Sequence, residues 1–176
     1  LNIIRSILKH DTTIYSVPHN YNFSSSKIQF DSIVLSNGPG DPSEYKETIE
    51  ELKKAINKNI PIFGICLGHQ LLSLALGAEI IKMKYGHRGS NQPVKNLENN
   101  KCYITSQNHG YCVSYKNLPN TIQPWFININ DQSIEGIKIK NKNIQSVQFH
   151  PEGAPGPNDT QFLIDDFINY PLKTNT

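Results

Sequence analysis

Apolar residues in the first half of the chain alternate between short strand-like runs and stripes with helical spacing. The stripes predict three helices, over residues 1–10, 43–58 and 69–76. The runs predict three strands, over residues 13–17, 32–36 and 60–65. Strands and helices that alternate in this way are typical of a parallel sheet with helices on both faces.

Beyond residue 78 the pattern changes to short strand candidates with turn residues between them. These candidates are residues 79–83, 102–106, 111–115, 125–130, 134–140 and 144–149, and a helix is predicted over 162–168. They predict an antiparallel extension, with the last strand returning to the main sheet. We therefore expect an α/β fold with a three-layer, mostly parallel, flavodoxin-like sheet, flanked by helices and carrying an antiparallel β extension. The first strand is expected before Leu1, because an opening helix needs a strand to cross over from.

Composition limits the possible partners. The chain has 176 residues, which suits a single domain over residues 1–176. Its 17 Lys and Arg against 15 Asp and Glu give a formal charge of +2, so neither nucleic acid nor a membrane is expected as a partner. A helix that spans a bilayer needs about 18–20 apolar residues in a row, and no apolar run in this sequence is nearly so long. Three cysteines without CxxC spacing argue against a disulfide framework, so we expect a reducing, cytoplasmic location.

One segment places a cysteine in the setting of a nucleophile. The apolar run 60–65 leads directly to Cys66, which stands between Gly64 and Gly68 and before a helical segment. A strand, a nucleophile and a helix in close succession, with glycine on either side, are typical of a nucleophile elbow. The unpaired N–H groups at the start of a helix favour a thiolate. A free cysteine that ends a buried strand also fits inert packing. A second motif is needed to distinguish a catalytic Cys66 from a packing residue.

The second motif is His150-Pro151-Glu152, which follows the last predicted strand. Residues i and i+2 of an extended segment project to the same side, and Pro151 favours extended geometry at His150. Glu152 can then hold one imidazole nitrogen and leave the other to serve a nucleophile. Parallel strands before Cys66 and His150 would bring both residues to the carboxyl edge of the sheet. Alone, the tripeptide fits a surface ion pair; with the elbow, it predicts a Cys66–His150–Glu152 triad.

Five stretches in order resemble the class I, triad-type glutamine amidotransferase family. GICLGHQ, FHPE and SNGPGDP are similar to the family as a whole. GHRGSNQPV and SQNHGY look like its carbamoyl-phosphate synthase small-subunit branch. The resemblance covers the chain to about residue 171 and implies a glutaminase domain that is part of a longer chain.

The resemblance also implies a reaction and a role for each matching residue. Cys66 would attack the side-chain amide carbon of glutamine, giving a γ-glutamyl thioester and ammonia, while His150 moves the protons and Glu152 orients it. Backbone N–H groups of Gly38 and Leu67 would hold the oxyanion. The residues at family positions that bind glutamine are Gly38, Gly40, Leu67, Gln70, Asn108, Gly110 and Tyr111.

The implied partner is a carbamoyl-phosphate synthetase domain or subunit that receives the ammonia. That partner would use ATP and magnesium, and no cofactor is expected in this domain. Three alternatives stay open: the glutaminase of another synthase such as anthranilate synthase, an unrelated cysteine hydrolase of γ-glutamyl bonds, and an inert module that binds its partner. The GHRGSNQPV stretch argues against anthranilate synthase.

Other motifs have simpler interpretations. SNGPGDP is not followed by GKS or GKT, so it is not a phosphate-binding P-loop and no nucleotide is expected. The spacing of His69, His87 and His109 fits no metal pattern, so no metal site is expected. The segment 108–110 also fits a β-turn between two strands. The expected packing residues are Cys102, Cys112 and Trp125.

Overall fold

A computed structural model describes the backbone of residues 1–173 and the side chains of residues 1–170. The α-helices are α1 (Asn2–Ile7), α2 (Lys46–Asn57), α3 (Leu67–Ala75) and α4 (Phe162–Lys173). The strands are β1 (Ile33–Leu35), β2 (Ile62–Ile65), β3 (Ile80–Asn96), β4 (Cys102–Val113), β5 (Ile122–Asn128), β6 (Ile134–Ile139) and β7 (Ile144–Val147). Short 3₁₀ helices lie at Phe23–Ser25 and Pro42–Glu44.

The seven described strands form one sheet in the order β1-β2-β7-β6-β4-β3-β5. The first three pair in parallel, and Ile65 at the end of β2 lies opposite Val147 at the end of β7. The other pairings are antiparallel, and β5 also pairs with β6, so β3 to β6 close into a barrel-like ring. The parallel strands β2 and β7 therefore end side by side at one edge.

Alternate residues of the parallel strands pack against helices on opposite faces of the sheet. Phe63 lies in a buried cluster with residues of α1 and α4, whereas its neighbour Ile62 lies in a second cluster with residues of α2 and α3. Ile62 and Phe63 are 0% and 1% exposed, so the central strand is buried on both faces. This explains why the sequence 60–65 is an unbroken apolar run instead of an alternating one.

The α/β class, a group of parallel strands with helices on both faces and the antiparallel extension match the prediction, but a mostly parallel, flavodoxin-like sheet is not confirmed. Parallel pairing is confined to β1, β2 and β7, and four of the seven described strands pair only in antiparallel fashion. The physical reason is that no helix separates the strands between residues 80 and 139, so each can turn back on its neighbour.

Two local interpretations of the sequence, an alternative turn at 108–110 and a strand at 13–17, are wrong. The segment 108–110 is not a turn but the middle of β4, where Asn108 and His109 lie opposite Arg88 and His87 of β3. The described residues 13–17 form no strand and pair with none of the seven strands of the sheet. The helix predicted from residue 43 begins at Lys46 as α2, after the 3₁₀ helix Pro42–Glu44, where the Ser43 N–H donates to Asp41 Oδ1 at 2.9 Å.

Two of the three residues predicted to pack in the interior are buried. Trp125 and Cys112 are buried, as expected, but Cys102 lies exposed on β4, so its prediction as a packing residue is wrong. Among the described residues, no helix is both long enough and apolar enough to cross a membrane.

Candidate active site

Cys66 stands at the sharp junction between β2 and α3. Its backbone has φ 55° and ψ −103°, a conformation that non-glycine residues rarely adopt. The Cys66 N–H donates to the Val147 carbonyl at 2.9 Å, and its own carbonyl accepts from the Gln70 N–H at 3.2 Å. The residue thus ends the parallel ladder and begins the helix at once. Strain held in this way by hydrogen bonds on both sides is typical of functional positions.

Gly64 and Gly68 are required by the close approach of backbone on either side of Cys66. A Cβ on Gly64 would lie 2.7 Å from the Gly68 carbonyl oxygen. A Cβ on Gly68 would lie 2.6 Å from the Cβ of Leu35 and 2.8 Å from its carbonyl carbon. Real Cβ atoms do not approach other atoms so closely, so only glycine fits at both positions. The two glycines of the elbow motif thus have a steric cause.

His150 and Glu152 lie together just beyond the end of β7. The Nδ1 atom of His150 and the Oε1 atom of Glu152 are 2.9 Å apart. The backbone N–H of His150 donates to the Ser106 carbonyl of β4 at 2.9 Å, which fixes the main chain that carries the imidazole. The side chains of His150 and Glu152 are 16% and 8% exposed, so water competes little for this hydrogen bond.

The Cys66 side chain contacts the same imidazole. Burial disfavours the charged form of His150, but hydrogen bonds with Cys66 and Glu152 and the attraction of both groups outweigh burial and raise the pKa of His150 to about 10. His150 therefore carries a proton at neutral pH. An imidazolium beside a sulfur is the arrangement in which cysteine nucleophiles act as thiolates.

The Gly-Pro loop after β1 faces the start of α3. A Cβ on Gly38 would lie 2.7 Å from the Cδ2 atom of Leu67, so the two residues predicted to hold an oxyanion are in direct contact. Tyr45 stabilises the loop, because its hydroxyl donates to the Pro39 carbonyl at 2.8 Å. A loop held from both sides is suited to present fixed N–H donors.

The other residues predicted to bind glutamine fall into two groups. Tyr111 lies near the loop that contains Gly40, because its hydroxyl donates to Asp41 Oδ2 at 3.0 Å. Asn108 is exposed and Gly110 half-buried on the same strand, β4. Gln70 is buried, and its Nε2 donates to the Tyr111 carbonyl at 3.3 Å and to Gln148 Oε1 at 3.1 Å. Gln70 thus uses its amide N–H groups within the protein.

Two residues that contribute to this arrangement were not identified from the sequence. Asp41 joins the Gly-Pro loop to Tyr111, and Ser106 holds the backbone of His150. Hydrogen bonds to Ser43 and Tyr111 lower the pKa of the Asp41 carboxyl. Its position inside SNGPGDP was the only sequence signal for Asp41. Ser106 acts through its main chain, which leaves no side-chain signal.

The histidines outside the triad differ in their surroundings. Burial, with a smaller contribution from His109, lowers the pKa of His69 to about 3, and its Nδ1 lies 2.8 Å from Ser146 Oγ. This neutral, buried ring joins α3 to β7.

Among the described residues, one group of three side chains has ligand atoms close enough to share a metal ion, and its members are His87, His109 and Glu135.

The pKa of His150 provides a first test of the site. In Glu152→Gln a hydrogen-bonding side chain remains but the negative charge is lost, so we expect the pKa of His150 to fall by about 1–3 pH units. NMR titration of the imidazole measures this directly. The matched control is Asp165→Asn, which removes the carboxylate 2.8 Å from His10 and should leave the pKa of His150 unchanged. If the pKa of His150 is the same in Glu152→Gln as in wild type, Glu152 does not stabilise the imidazolium.

Comparison with known proteins shows a family match over nearly the whole chain and relatives at about 50% identity. Residues 1–170 match the family model for class I glutamine amidotransferases. The carbamoyl phosphate synthase small chain of Methanocaldococcus jannaschii is 52% identical over 169 residues, which cover 96% of this chain and 48% of that protein. The arginine-specific small chain of Debaryomyces hansenii is 50% identical over 169 residues, covering 95% of this chain and 39% of that protein. The chain thus spans about half the length of these curated relatives or less.

Solved structures show the same fold. A protein described as a GMP synthase subunit from Thermoplasma acidophilum matches with a TM-score of 0.78 at 24% identity, covering 99% of this chain and 91% of that one. At this identity the match speaks for the fold alone. It shows that helices around one sheet, in the arrangement described above, recur in a second protein.

Proposed function

The chain belongs to the class I glutamine amidotransferase family, and on that basis we propose that it hydrolyses the side-chain amide of glutamine to glutamate and ammonia. The observation that carries the proposal is the placement of Cys66 beside His150 at the adjoining ends of β2 and β7, with His150 Nδ1 2.9 Å from Glu152 Oε1. A nucleophile, a proton carrier and a group that orients it are the three parts that acyl transfer requires.

The first half-reaction forms a thioester. The Cys66 sulfur, as thiolate, attacks the amide carbon of glutamine, and the carbonyl oxygen takes the negative charge. The imidazolium of His150 gives its proton to the amide nitrogen, the C–N bond breaks, and ammonia leaves. The products are a γ-glutamyl thioester on Cys66 and a neutral imidazole on His150, with Glu152 still bound to its other nitrogen.

The second half-reaction restores the enzyme. Neutral His150 takes a proton from water as the water oxygen attacks the thioester carbon. The tetrahedral intermediate then collapses, the C–S bond breaks and Cys66 leaves as thiolate. Glutamate is released, and the imidazolium beside the thiolate is formed again. Every step uses side chains of this chain, so we propose no cofactor for it.

We assign the oxyanion to the backbone N–H groups of Gly38 and Leu67, two residues that lie against each other where the Gly-Pro loop meets the start of α3. One fixed donor of this kind is worth about 3–4 kcal/mol in acyl transfer. The glutamine amino-acid end would be bound by Gly40, Asn108, Gly110 and Tyr111, while Gln70 holds β4 through the Tyr111 carbonyl.

We further propose that the ammonia passes to a carbamoyl-phosphate synthetase domain or subunit. Support comes from relatives at 52% and 50% identity that are named as small chains of carbamoyl phosphate synthase. ATP and magnesium would be used by that partner. A cytoplasmic location is part of the proposal and is in keeping with three free cysteines.

Selective labelling tests the proposed nucleophile. A diazo-ketone analogue of glutamine at neutral pH should modify Cys66 at least about 100-fold faster than Cys112, because burial, together with the charges of Glu135 and Asp131, raises the pKa of the Cys112 thiol to about 11. Peptide mass spectrometry locates the label. Excess glutamine should protect Cys66.

The exposed Cys102 is the matched control in this experiment. A simple alkylating agent should modify Cys102, and glutamine should not protect it. Absence of label on Cys66, or label spread over all three cysteines without protection by glutamine, would favour an inert module that only binds its partner.

A further inference from the structure

Three side chains that the proposed reaction does not use converge where β3, β4 and β6 meet. His87 and His109 lie opposite each other in the β3–β4 register, and Glu135 comes from β6, which pairs with β4. We propose that His87, His109 and Glu135 form a binding site for a divalent transition-metal ion such as zinc. The sequence had argued against a metal because the histidine spacing fits no pattern, and Glu135 was not part of that comparison.

The distances between the donor atoms fit a small cation. His87 Nδ1 is 3.0 Å from Glu135 Oε1, and His109 Nε2 is 3.9 Å from the same oxygen. One ligand atom from each of the three residues lies within 4.8 Å of the others. A tetrahedral zinc ion with ligands at about 2.0–2.1 Å separates those ligands by about 3.3–3.4 Å. A separation of 4.8 Å would have to close by about 1.4 Å, a movement that two side chains can share.

The orientation of His109 leaves a lone pair directed at this point. Its Nδ1 lies 2.9 Å from the Tyr111 carbonyl, which can only accept, so a neutral ring that donates to this carbonyl has its proton on Nδ1. With the proton on Nδ1, the Nε2 lone pair points into the cluster. This lone pair faces two further acceptors, Gln107 Oε1 at 2.9 Å and Glu135 Oε1 at 3.9 Å. Rotation of the Gln107 amide would turn its N–H groups toward this lone pair and remove the repulsion from Oε1. The repulsion between the lone pair and Glu135 Oε1 would remain.

The other histidine is held in the manner of a metal ligand. His87 Nε2 lies 2.9 Å from Asp131 Oδ2, while Nδ1 faces Glu135. In metal sites the second ring nitrogen of a ligating histidine typically donates to a carboxylate or a backbone carbonyl. His87 has the carboxylate of Asp131 and His109 the carbonyl of Tyr111 in these places. Both rings are therefore supported as ligands would be.

Charge and access also favour a divalent ion. The Glu135 side chain is 0% exposed, and its Oε2 has no hydrogen-bond partner among the described residues. With Asp131 the cluster holds two carboxyl groups, both of which contact His87. A divalent cation would balance the negative charge of both in their ionised form. The side chains of His87 and Asp131 are 11% and 44% exposed, which provides an entry path from solvent.

The competing interpretation is a cluster held by a proton alone. Hydrogen bonds and charge from Glu135 and Asp131 outweigh burial and raise the pKa of His87 to about 9. That proton lies on the line between His87 Nδ1 and Glu135 Oε1, where the metal would take its place. The two interpretations differ in whether the cluster binds a metal ion with three ligands.

Metal titration distinguishes them. The full chain, treated with a chelator and dialysed, is titrated with Co²⁺ by visible absorption and with Zn²⁺ by calorimetry. We expect one ion per chain with a dissociation constant below ~10 µM. His87→Gln and Glu135→Gln should each weaken binding by at least about 100-fold, and Asp131→Asn by about 10–100-fold. These measurements contain no glutamine, so they stand apart from the proposed hydrolysis.

Two controls exclude unrelated ligands. His10→Gln removes a histidine that is paired with Asp165 at 2.8 Å, away from the cluster, and Cys102→Ser removes the exposed thiol. Both should leave the metal affinity unchanged. If Glu135→Gln fails to fold, X-ray absorption of the wild-type zinc complex serves instead, and nitrogen and oxygen ligands without sulfur are expected. Absence of stoichiometric binding, or affinity unchanged in His87→Gln, would overturn the site.

Discussion

Replacing Cys66 with alanine is expected to reduce glutamine-dependent formation of carbamoyl phosphate by at least about 10³-fold, equivalent to about 4 kcal/mol of transition-state stabilisation. No other described group stands at the start of α3 against the His150 imidazole, so no thioester can form. Alanine keeps the Cβ at φ 55°, so the backbone cost of the elbow is unchanged. The measurement is product formation by the chain with a carbamoyl-phosphate synthetase partner, supplied with either glutamine or ammonia.

Ammonia provides the internal control for that experiment. Because free ammonia bypasses the proposed thioester, ammonia-dependent synthesis should stay within about twofold of wild type. Cys102→Ser changes an exposed cysteine on β4 and should leave both activities unchanged. Equal glutamine-dependent synthesis in wild type and Cys66→Ala would exclude Cys66 as the nucleophile. Loss of both activities would point to a failed association with the partner.

The elbow was predictable because its signals are local. An apolar run without interruption, two glycines and a stretch of helix formers all lie within residues 60–77. Each has a physical cause in the structure: burial of β2 on both faces, and backbone contacts at Gly64 and Gly68 that exclude a Cβ. The contact between His150 and Glu152 was predicted from extended geometry, but the two residues lie on a turn, in which the Gly153 N–H donates to the His150 carbonyl at 3.2 Å. The contact is as predicted, and its cause is different.

The long hairpin was not predictable from local patterns. Gly86 and Gly89 have φ of 70° and 147° and resemble turn residues in sequence. In the structure they lie within β3, where the register against β4 shifts between Lys82 and His87 and again after Gly89. Glycine at an irregularity of a strand and glycine at a turn give the same sequence signal. Only the pairing of β3 with β4 distinguishes them.

Tertiary contacts explain the remaining residues. Glu135 meets His87 across 48 positions of the chain, and Asp41 meets Tyr111 across 70. Neither pair has a spacing rule, because each depends on how β6 and the Gly-Pro loop lie against the hairpin. The approach of Cys66 to His150 is also distant in sequence, but it followed from one assumption. Parallel strands that end in register, as Ile65 and Val147 do, bring the residues after them together.

Gly68→Ala should destabilise the protein by at least about 3 kcal/mol, although alanine is the better helix former. The new Cβ would meet backbone and side-chain atoms of Leu35 in β1, and neither partner can move without shifting a strand or the start of α3. Such a shift would also move Cys66 relative to His150, and displacements of about 1 Å can cost 10²-fold in rate. Urea denaturation measures the free energy of unfolding, and glutamate formation measures the activity.

The matched control for this change is Gly110→Ala. At that position the nearest atom to a new Cβ is Arg88 Nη2 at 3.7 Å, an ordinary contact, so the free energy of unfolding should change by less than about 1 kcal/mol. The difference between the two variants isolates the steric role of Gly68 from the general effect of adding a methyl group. If both variants unfold at the same urea concentration as wild type, β1 does not pack against the elbow as described. The geometry proposed for Cys66 would then lose its support, since Leu35, Gly68 and Cys66 hold one another in place.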